Sequence, residues 1–146
     1  MAQQPHHEAA GERRDDAARL LRQLEVCADH GDITAAVYDR FFAIHPEAAA
    51  MFEAAPGAGP ITQGRMLAYV LDLLVDQASG QSYVPELLRS VRQDHVGYGA
   101  IDLGFYADFL AALADVVHGV LGSAWQPADT MAWDRMRVQL LAGLAA

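Results

Sequence analysis

Residues 87–99 read LLRSVRQDHVGYG, which predicts a short helix that ends in a histidine and a corner marked by two glycines. One face of this helix carries three aliphatic side chains and an imidazole, at positions i, i+1, i+4 and i+8: Leu87, Leu88, Val91 and His95. A histidine on an apolar helix face is most often a packed core residue. It is also a frequent ligand of metals and cofactors, so the rest of the chain has to decide between the two interpretations.

The composition favours one helical domain. The chain has 146 residues, of which 53% are hydrophobic, enough for one sizeable core. Alanine and leucine dominate, whereas β-branched residues are scarce and do not alternate in a sustained run, so helices are favoured over strands. The first residues are polar. We therefore expect a disordered N-terminal tail at residues 1–12 and a single domain at residues 13–146.

The charge argues against several classes of partner. The formal net charge is −9 and all ten basic residues are arginine, so neither nucleic acid nor an anionic membrane surface is an expected partner. No uninterrupted apolar run approaches the roughly 18 residues of a membrane span, and the start of the chain lacks the apolar core of a signal peptide. Cys27 is the only cysteine, so no intrachain disulfide can form. We expect a cytoplasmic protein without a membrane span.

Helical periodicity predicts six substantial helices, a short one after Pro46 and no strands. Asp32 and Asp102 are the expected N-caps of two of these helices. The two long final helices are expected to form a hairpin. The substantial helices cover about residues 13–27, 33–44, 61–77, 85–95, 101–121 and 129–144.

Aromatic side chains are concentrated in the second predicted helix and shortly after it: Tyr38, Phe41, Phe42 and Phe52. Core packing explains such a cluster in most proteins. The order of features is more specific, because the aromatic helix turns at Pro46, a phenylalanine follows, the next long helix has an early glutamine, and a later short helix ends in His95. His45, which precedes the proline, is expected to act structurally at the bend.

This order of features resembles the globin family, and within it bacterial single-domain haemoglobins and the globin domain of flavohaemoglobins. Residues 37–47, VYDRFFAIHPE, resemble the family's passage from the second helix into the third, and residues 95–99, HVGYG, resemble the corner after the proximal histidine. Four single positions match the family's haem-facing phenylalanine, its distal ligand-facing residue and two tryptophans near and in the last helix: Phe52, Gln63, Trp125 and Trp133. The resemblance covers about residues 15–144.

The resemblance implies an all-α globin fold of six to eight helices around a pocket for haem b. It also implies that His95 is the proximal ligand of a pentacoordinate haem iron that binds O₂, NO and CO. Tyr38, Gln63 and Leu67 would lie on the distal side, where the hydroxyl and the amide donate hydrogen bonds to the ligand. The candidate pocket walls are apolar: Phe52, Leu67, Leu88, Ile101, Phe105 and Phe109.

The sequence departs from flavohaemoglobins on the proximal side. Those proteins place a tyrosine and a glutamate around the proximal imidazole, whereas this chain has Phe105 at the tyrosine position, with Tyr106 next to it if the register slips by one, and no matching glutamate. Only main-chain carbonyls or Ser90 precede His95 as acceptors, so weaker electron donation is expected. Asp94 stands where related proteins carry a basic residue near the haem propionates, and three arginines are candidate replacements: Arg65, Arg89 and Arg92.

Reversible binding of O₂, for supply or scavenging, is the function that the resemblance implies first. NO dioxygenation with an external reductase is an alternative, since the tyrosine–glutamine pair resembles flavohaemoglobins but no flavin or nicotinamide domain follows in the sequence. A haem-based gas sensor and a haem-free interaction module are further alternatives. The sequence does not indicate the oligomeric state.

Overall fold

The structure is a computed structural model that describes residues 4–54, 59–98 and 101–146. Within these ranges the chain forms seven α-helices and two 3-10 helices, and no strand, which confirms the predicted all-α class. The α-helices are α1 (Gln4–His30), α2 (Thr34–Ile44), α3 (Pro46–Ala54), α4 (Pro60–Ala78), α5 (Val84–His95), α6 (Leu103–Leu121) and α7 (Pro127–Ala145). The 3-10 helices, Val96–Tyr98 and Gly122–Ala124, follow α5 and α6.

Helix α6 is the centre of the fold. It packs against α1, α2 and α7, and its contact with α7 forms the expected final hairpin. Ala112, Leu113 and Val117 of α6 are completely buried. By length and composition, the segment Leu103–Ala124 could cross a membrane. Core helices of globular proteins meet the same criterion, and the contacts of α6 with three other helices are those of a core helix.

One of the two predicted aspartate caps is confirmed. The Asp102 carboxylate accepts a hydrogen bond of 3.2 Å from the Phe105 amide at the start of α6. The N-cap of α2 is Ile33 and not Asp32, whose carboxylate lies one residue earlier and accepts bonds from the amide and the hydroxyl of Thr34 at 2.9 and 2.6 Å. The last helix begins at Pro127 rather than near residue 129, because the side chain of Gln126 and that of Asp129 cap each other's main-chain amides.

Helix α1 is longer than expected. It begins at Gln4, although the sequence predicts a disordered tail at residues 1–12. Alanine, glutamate and arginine have high helix propensity, so the helix extends through the exposed residues 8–15. An ion pair of 3.3 Å between Glu12 and Arg135 joins this extension to α7. The division of the chain into tail and domain at residue 12 stays a prediction.

A buried polar network connects α1 to α7. The Asp129 carboxylate accepts hydrogen bonds from Arg19 at 3.0 Å and from the Gln23 amide at 2.8 Å. The Trp133 indole N–H donates to the Gln23 side-chain oxygen at 2.8 Å. Burial alone would raise the pKa of Asp129, but bonds from the Gln126 amide and Arg19 outweigh it and hold the pKa below its usual range. The network thus fixes the relative position of the first and last helices.

Candidate functional site

An apolar cavity of about 120 Å³ lies among α2 to α7. Apart from His95 and Tyr106, the residues that line it are all apolar. The helices contribute aliphatic and aromatic walls, among them Phe41, Met51, Val70, Leu88, Phe105, Phe109, Leu140 and Leu144. A partly open apolar space with one imidazole at its wall is suited to a large flat hydrophobic ligand with a metal centre.

His95 is the last residue of α5, and it is half-buried. Its Nδ1 lies 2.7 Å from the main-chain oxygen of Val91, one turn earlier. Because a carbonyl oxygen can only accept, this partner assigns the hydrogen to Nδ1, and in a neutral imidazole Nε2 is then the atom that a metal would use. The sequence left Ser90 and the main-chain carbonyls open as orienting acceptors, and the structure has the Val91 carbonyl in that role.

The ring of Tyr106 contacts His95, whereas the described ring contacts of Phe105 are with other residues. The centroids of the Tyr106 and His95 rings are 5.5 Å apart in an edge-to-face arrangement. Phe105 instead stacks on the ring of His45 at 4.4 Å. Burial raises the pKa of the Tyr106 hydroxyl, and the nearby Arg92 partly opposes this effect. The structure therefore has Tyr106, the residue next to the predicted tyrosine position, against the His95 ring.

The Tyr38 hydroxyl is a buried donor without a hydrogen-bond partner among the described residues. Its side chain is 1% exposed, and burial raises the pKa of the hydroxyl far above its usual range, so the group keeps its proton. The centroid of the Tyr38 ring lies 5.3–5.7 Å from the centroids of three phenylalanine rings: Phe42, Phe52 and Phe109. A buried polar group without a partner is rare in native proteins and calls for an explanation, such as a ligand.

The other predicted distal residues lie on α4. Gln63 is half-buried in the first turn, and its main-chain amide donates to the Gly59 carbonyl at 3.0 Å. Leu67, one turn later, is buried. Neither residue lines the 120 Å³ cavity, and neither do Tyr38 and Phe52. Their roles toward a ligand stay predictions.

The structure brings several of the predicted residues together. Four candidate wall residues line the cavity with His95: Leu88, Ile101, Phe105 and Phe109. Phe109 also contacts Tyr38, so the aromatic cluster around Tyr38 adjoins the cavity. Leu140 and Leu144 of α7 also line the cavity and were not among the predicted wall residues, because apolar periodicity shows which residues face inward and not which of them meet a cavity.

The comparison with protein families agrees with this geometry. A family model described as Globin matches residues 35–144 of the chain. The chain belongs to the globin family. No curated protein has a significant match to the sequence.

The described residues of this globin fit the haem that its family typically binds. The imidazole of His95 is the right donor, held in the right tautomer by the Val91 carbonyl. The cavity walls are apolar, as a porphyrin requires, and Tyr38 supplies an unpartnered buried donor next to them. A porphyrin is larger than this cavity, so the walls would separate on binding.

Two of the three candidate arginines of this globin lie beside His95. An open cleft of about 410 Å³ adjoins the cavity and is lined by Arg89, Arg92 and His95, among others. Arg92 donates to the Leu144 carbonyl at 2.7 Å, and Arg89 pairs with Glu86 on the same helix at 2.9 Å. Arg65, the third, is exposed on α4 and does not line this cleft.

Proposed function

We propose that this globin binds haem b through His95 and reversibly binds O₂ and other diatomic gases, including NO and CO. The observation that carries the proposal is the apolar cavity with His95 in its wall, where the Val91 carbonyl orients the imidazole through Nδ1. Haem held by His95 would supply an iron that binds a diatomic gas.

The apolar walls exclude water from the ligand space. In a medium of low polarity each remaining hydrogen bond is electrostatically stronger, so a single donor has a large effect on ligand affinity. Tyr38 is the first candidate for that donor, because its buried hydroxyl is protonated and has no partner among the described residues. The Gln63 amide is the second candidate.

The proximal side favours gas binding over redox turnover. His95 donates to a neutral main-chain carbonyl, which makes the imidazole less electron-rich than a carboxylate partner would. In flavohaemoglobins, by contrast, a tyrosine and a glutamate around the proximal histidine increase its electron donation to the iron. We therefore place reversible binding before NO dioxygenation, which would also need an external reductase. A cytoplasmic location is part of the same proposal.

Titration with haemin tests the proposal. We expect the purified protein to bind haemin and to give distinct ferric, ferrous and CO-bound optical spectra. His95→Ala should lose stable haem binding, whereas the control His118→Ala, on the exposed part of α6, should keep it. A colourless protein that ignores added haemin, or His95→Ala with unchanged spectra, would overturn the proposal.

A kinetic measurement separates gas binding from catalysis. We expect the loaded protein to take up and release O₂ over repeated cycles and to show no sustained turnover when NO and a generic reductase are supplied. Steady conversion of NO to nitrate under those conditions would assign the dioxygenase function instead.

A further inference from the structure

Helix α7 has a glycine at its contact with Leu88 of α5. A Cβ atom at Gly143 would overlap Cδ1 of Leu88 and would lie 3.8 Å from its Cγ. Gly64 and Gly119, which are also inside helices, have nothing within 4 Å of the same point. Glycine is a poor helix former. At Gly143 the missing side chain provides the room that Leu88 occupies.

Leu88 can move away from an added methyl group only into the cavity or together with its helix. Its side chain is 2% exposed and lines the cavity that also contains His95. An alanine at position 143 would therefore either rotate Leu88 toward the cavity or displace α5 from α7. Both responses change the position of His95 relative to the cavity walls, because close-packed interiors transmit small volume changes.

A second contact fixes α5 against the same turn of α7. The Arg92 guanidinium donates to the Leu144 carbonyl at 2.7 Å. This carbonyl lies in the last turn of α7, where main-chain oxygens lack partners within the helix and cations are favoured. Leu88, Arg92 and His95 are spaced by four and three residues, so they share one face of α5.

We propose that Gly143 is a positioning residue for His95. The side chain of Leu88 occupies the gap at Gly143, and the Arg92 guanidinium donates to the adjacent Leu144 carbonyl. Together these two contacts set the position of α5 along α7 and the distance between the two helices, and therefore the position of His95. This inference rests on the proposed function, because the position of His95 matters for haem only if His95 is its ligand.

The test compares four variants with the wild type. Gly143→Ala introduces the overlap, and Gly119→Ala is a matched control that makes the same exchange in open space. Leu88→Ala/Gly143→Ala, compared with Leu88→Ala, asks whether Leu88 transmits the effect. For each protein we would measure the haemin dissociation constant, the iron–histidine stretching band of the ferrous form by resonance Raman, and the thermal midpoint of the haem-free protein.

We expect Gly143→Ala to weaken haemin binding at least tenfold and to shift the iron–histidine band, whereas Gly119→Ala changes neither. In the Leu88→Ala background, the Gly143→Ala exchange should leave the band in place. The comparison of Leu88→Ala/Gly143→Ala with Leu88→Ala also tests the inference if the single variant Gly143→Ala does not fold. The inference is overturned if Gly143→Ala behaves like Gly119→Ala, or if the band still shifts after Leu88 has been shortened. A wild-type protein that binds no haemin would instead overturn the proposed function, and the inference with it.

Discussion

At the scale of single residues, Tyr38 has the most unusual environment in the described part of the chain. Its hydroxyl is buried without a partner, inside an aromatic cluster that adjoins the cavity. An unsatisfied buried polar group lowers stability by about 1–3 kcal/mol. A native protein that keeps such a group has a use for it, and a hydrogen bond to a ligand is the use that the neighbouring cavity suggests.

We predict that Tyr38→Phe raises the O₂ dissociation rate and does not destabilise the haem-free protein. A donor to a charged acceptor is worth about 1.5–3 kcal/mol, which corresponds to roughly tenfold to a hundredfold in rate. Stopped-flow measurement of O₂ release and urea unfolding of the haem-free protein check the two parts. Tyr69→Phe, at an exposed tyrosine, is the matched control.

Gln63→Leu should raise the O₂ dissociation rate in the same direction, since it removes the second candidate donor. If both Tyr38→Phe and Gln63→Leu released O₂ at the wild-type rate, the donors that hold the ligand would have to lie elsewhere in the pocket.

At the scale of helices, His45 joins the start of α3 to α6. Its Nδ1 lies 3.0 Å from the Glu47 carboxylate and its Nε2 lies 2.6 Å from the Asp108 carboxylate. Ionised carboxylates only accept, so both ring nitrogens donate and the imidazole is charged. Its ring stacks on Phe105, a cavity wall. The structural role expected at this bend thus extends to the wall of the candidate site.

We predict that the stabilising effect of His45 decreases as the pH rises. The hydrogen bonds to Glu47 and Asp108 raise the pKa of His45 above its ordinary value in the folded protein. The stabilisation is therefore complete below the unfolded pKa of about 6.5 and is lost as the pH rises through the folded pKa. The difference in unfolding free energy between wild type and His45→Gln, measured across this range, should shrink with increasing pH.

The control for this measurement is His118→Gln, because His118 stacks on Trp125 and has no described carboxylate partner. The difference in unfolding free energy between the wild type and His118→Gln should not show the decrease with pH that is expected for His45→Gln. Added salt should reduce the His45 effect, since both carboxylates are partly exposed. A His45 contribution that stayed constant with pH would contradict the charged bridge.

The polar network between α1 and α7 gives a second prediction at this scale. Asp129→Ala would leave Arg19, Gln23 and the capping amide of Gln126 without their acceptor, so we expect a loss of about 2–4 kcal/mol in the free energy of unfolding. Urea denaturation measures it. Asp134→Ala removes an exposed carboxylate that pairs with Arg137 on the same helix and should cost less than about 0.5 kcal/mol. Equal losses of unfolding free energy in the two variants would mean that the buried network stabilises the fold no more than an exposed ion pair does.

At the scale of the whole molecule, one helix serves both the core and the site. Helix α6 packs against α1, α2 and α7, and two turns of the same helix supply Phe105 and Phe109 to the cavity. The cavity thus lies against the most strongly packed part of the globin fold. Because these walls belong to a core helix, they would position the proposed haem ligand His95 and the proposed donor Tyr38 relative to each other once haem is bound.

Much of this architecture was predictable from the sequence because its signals are local. Helix periodicity repeats within each segment, and Asp102 caps α6 through an amide only three residues away. His95 was identified as the candidate ligand from its helix and from the order of aromatic, proline and glutamine features before it. The family match over residues 35–144 agrees with that order. The roles of Tyr38 and Gln63 toward a ligand stay predictions.

The sequence by itself determined the all-α class, the order of the helices, the family and the choice of His95 as the candidate ligand, because each depends on residue types at short or regular spacings. Only the tertiary structure decided that Tyr106 contacts His95, and that Leu140 and Leu144 complete the cavity. It alone also placed Gly143 against Leu88, 55 positions away by residue number. Such pairings depend on how helices cross and rotate against each other, and residues distant in sequence carry no local signal of which partner they meet.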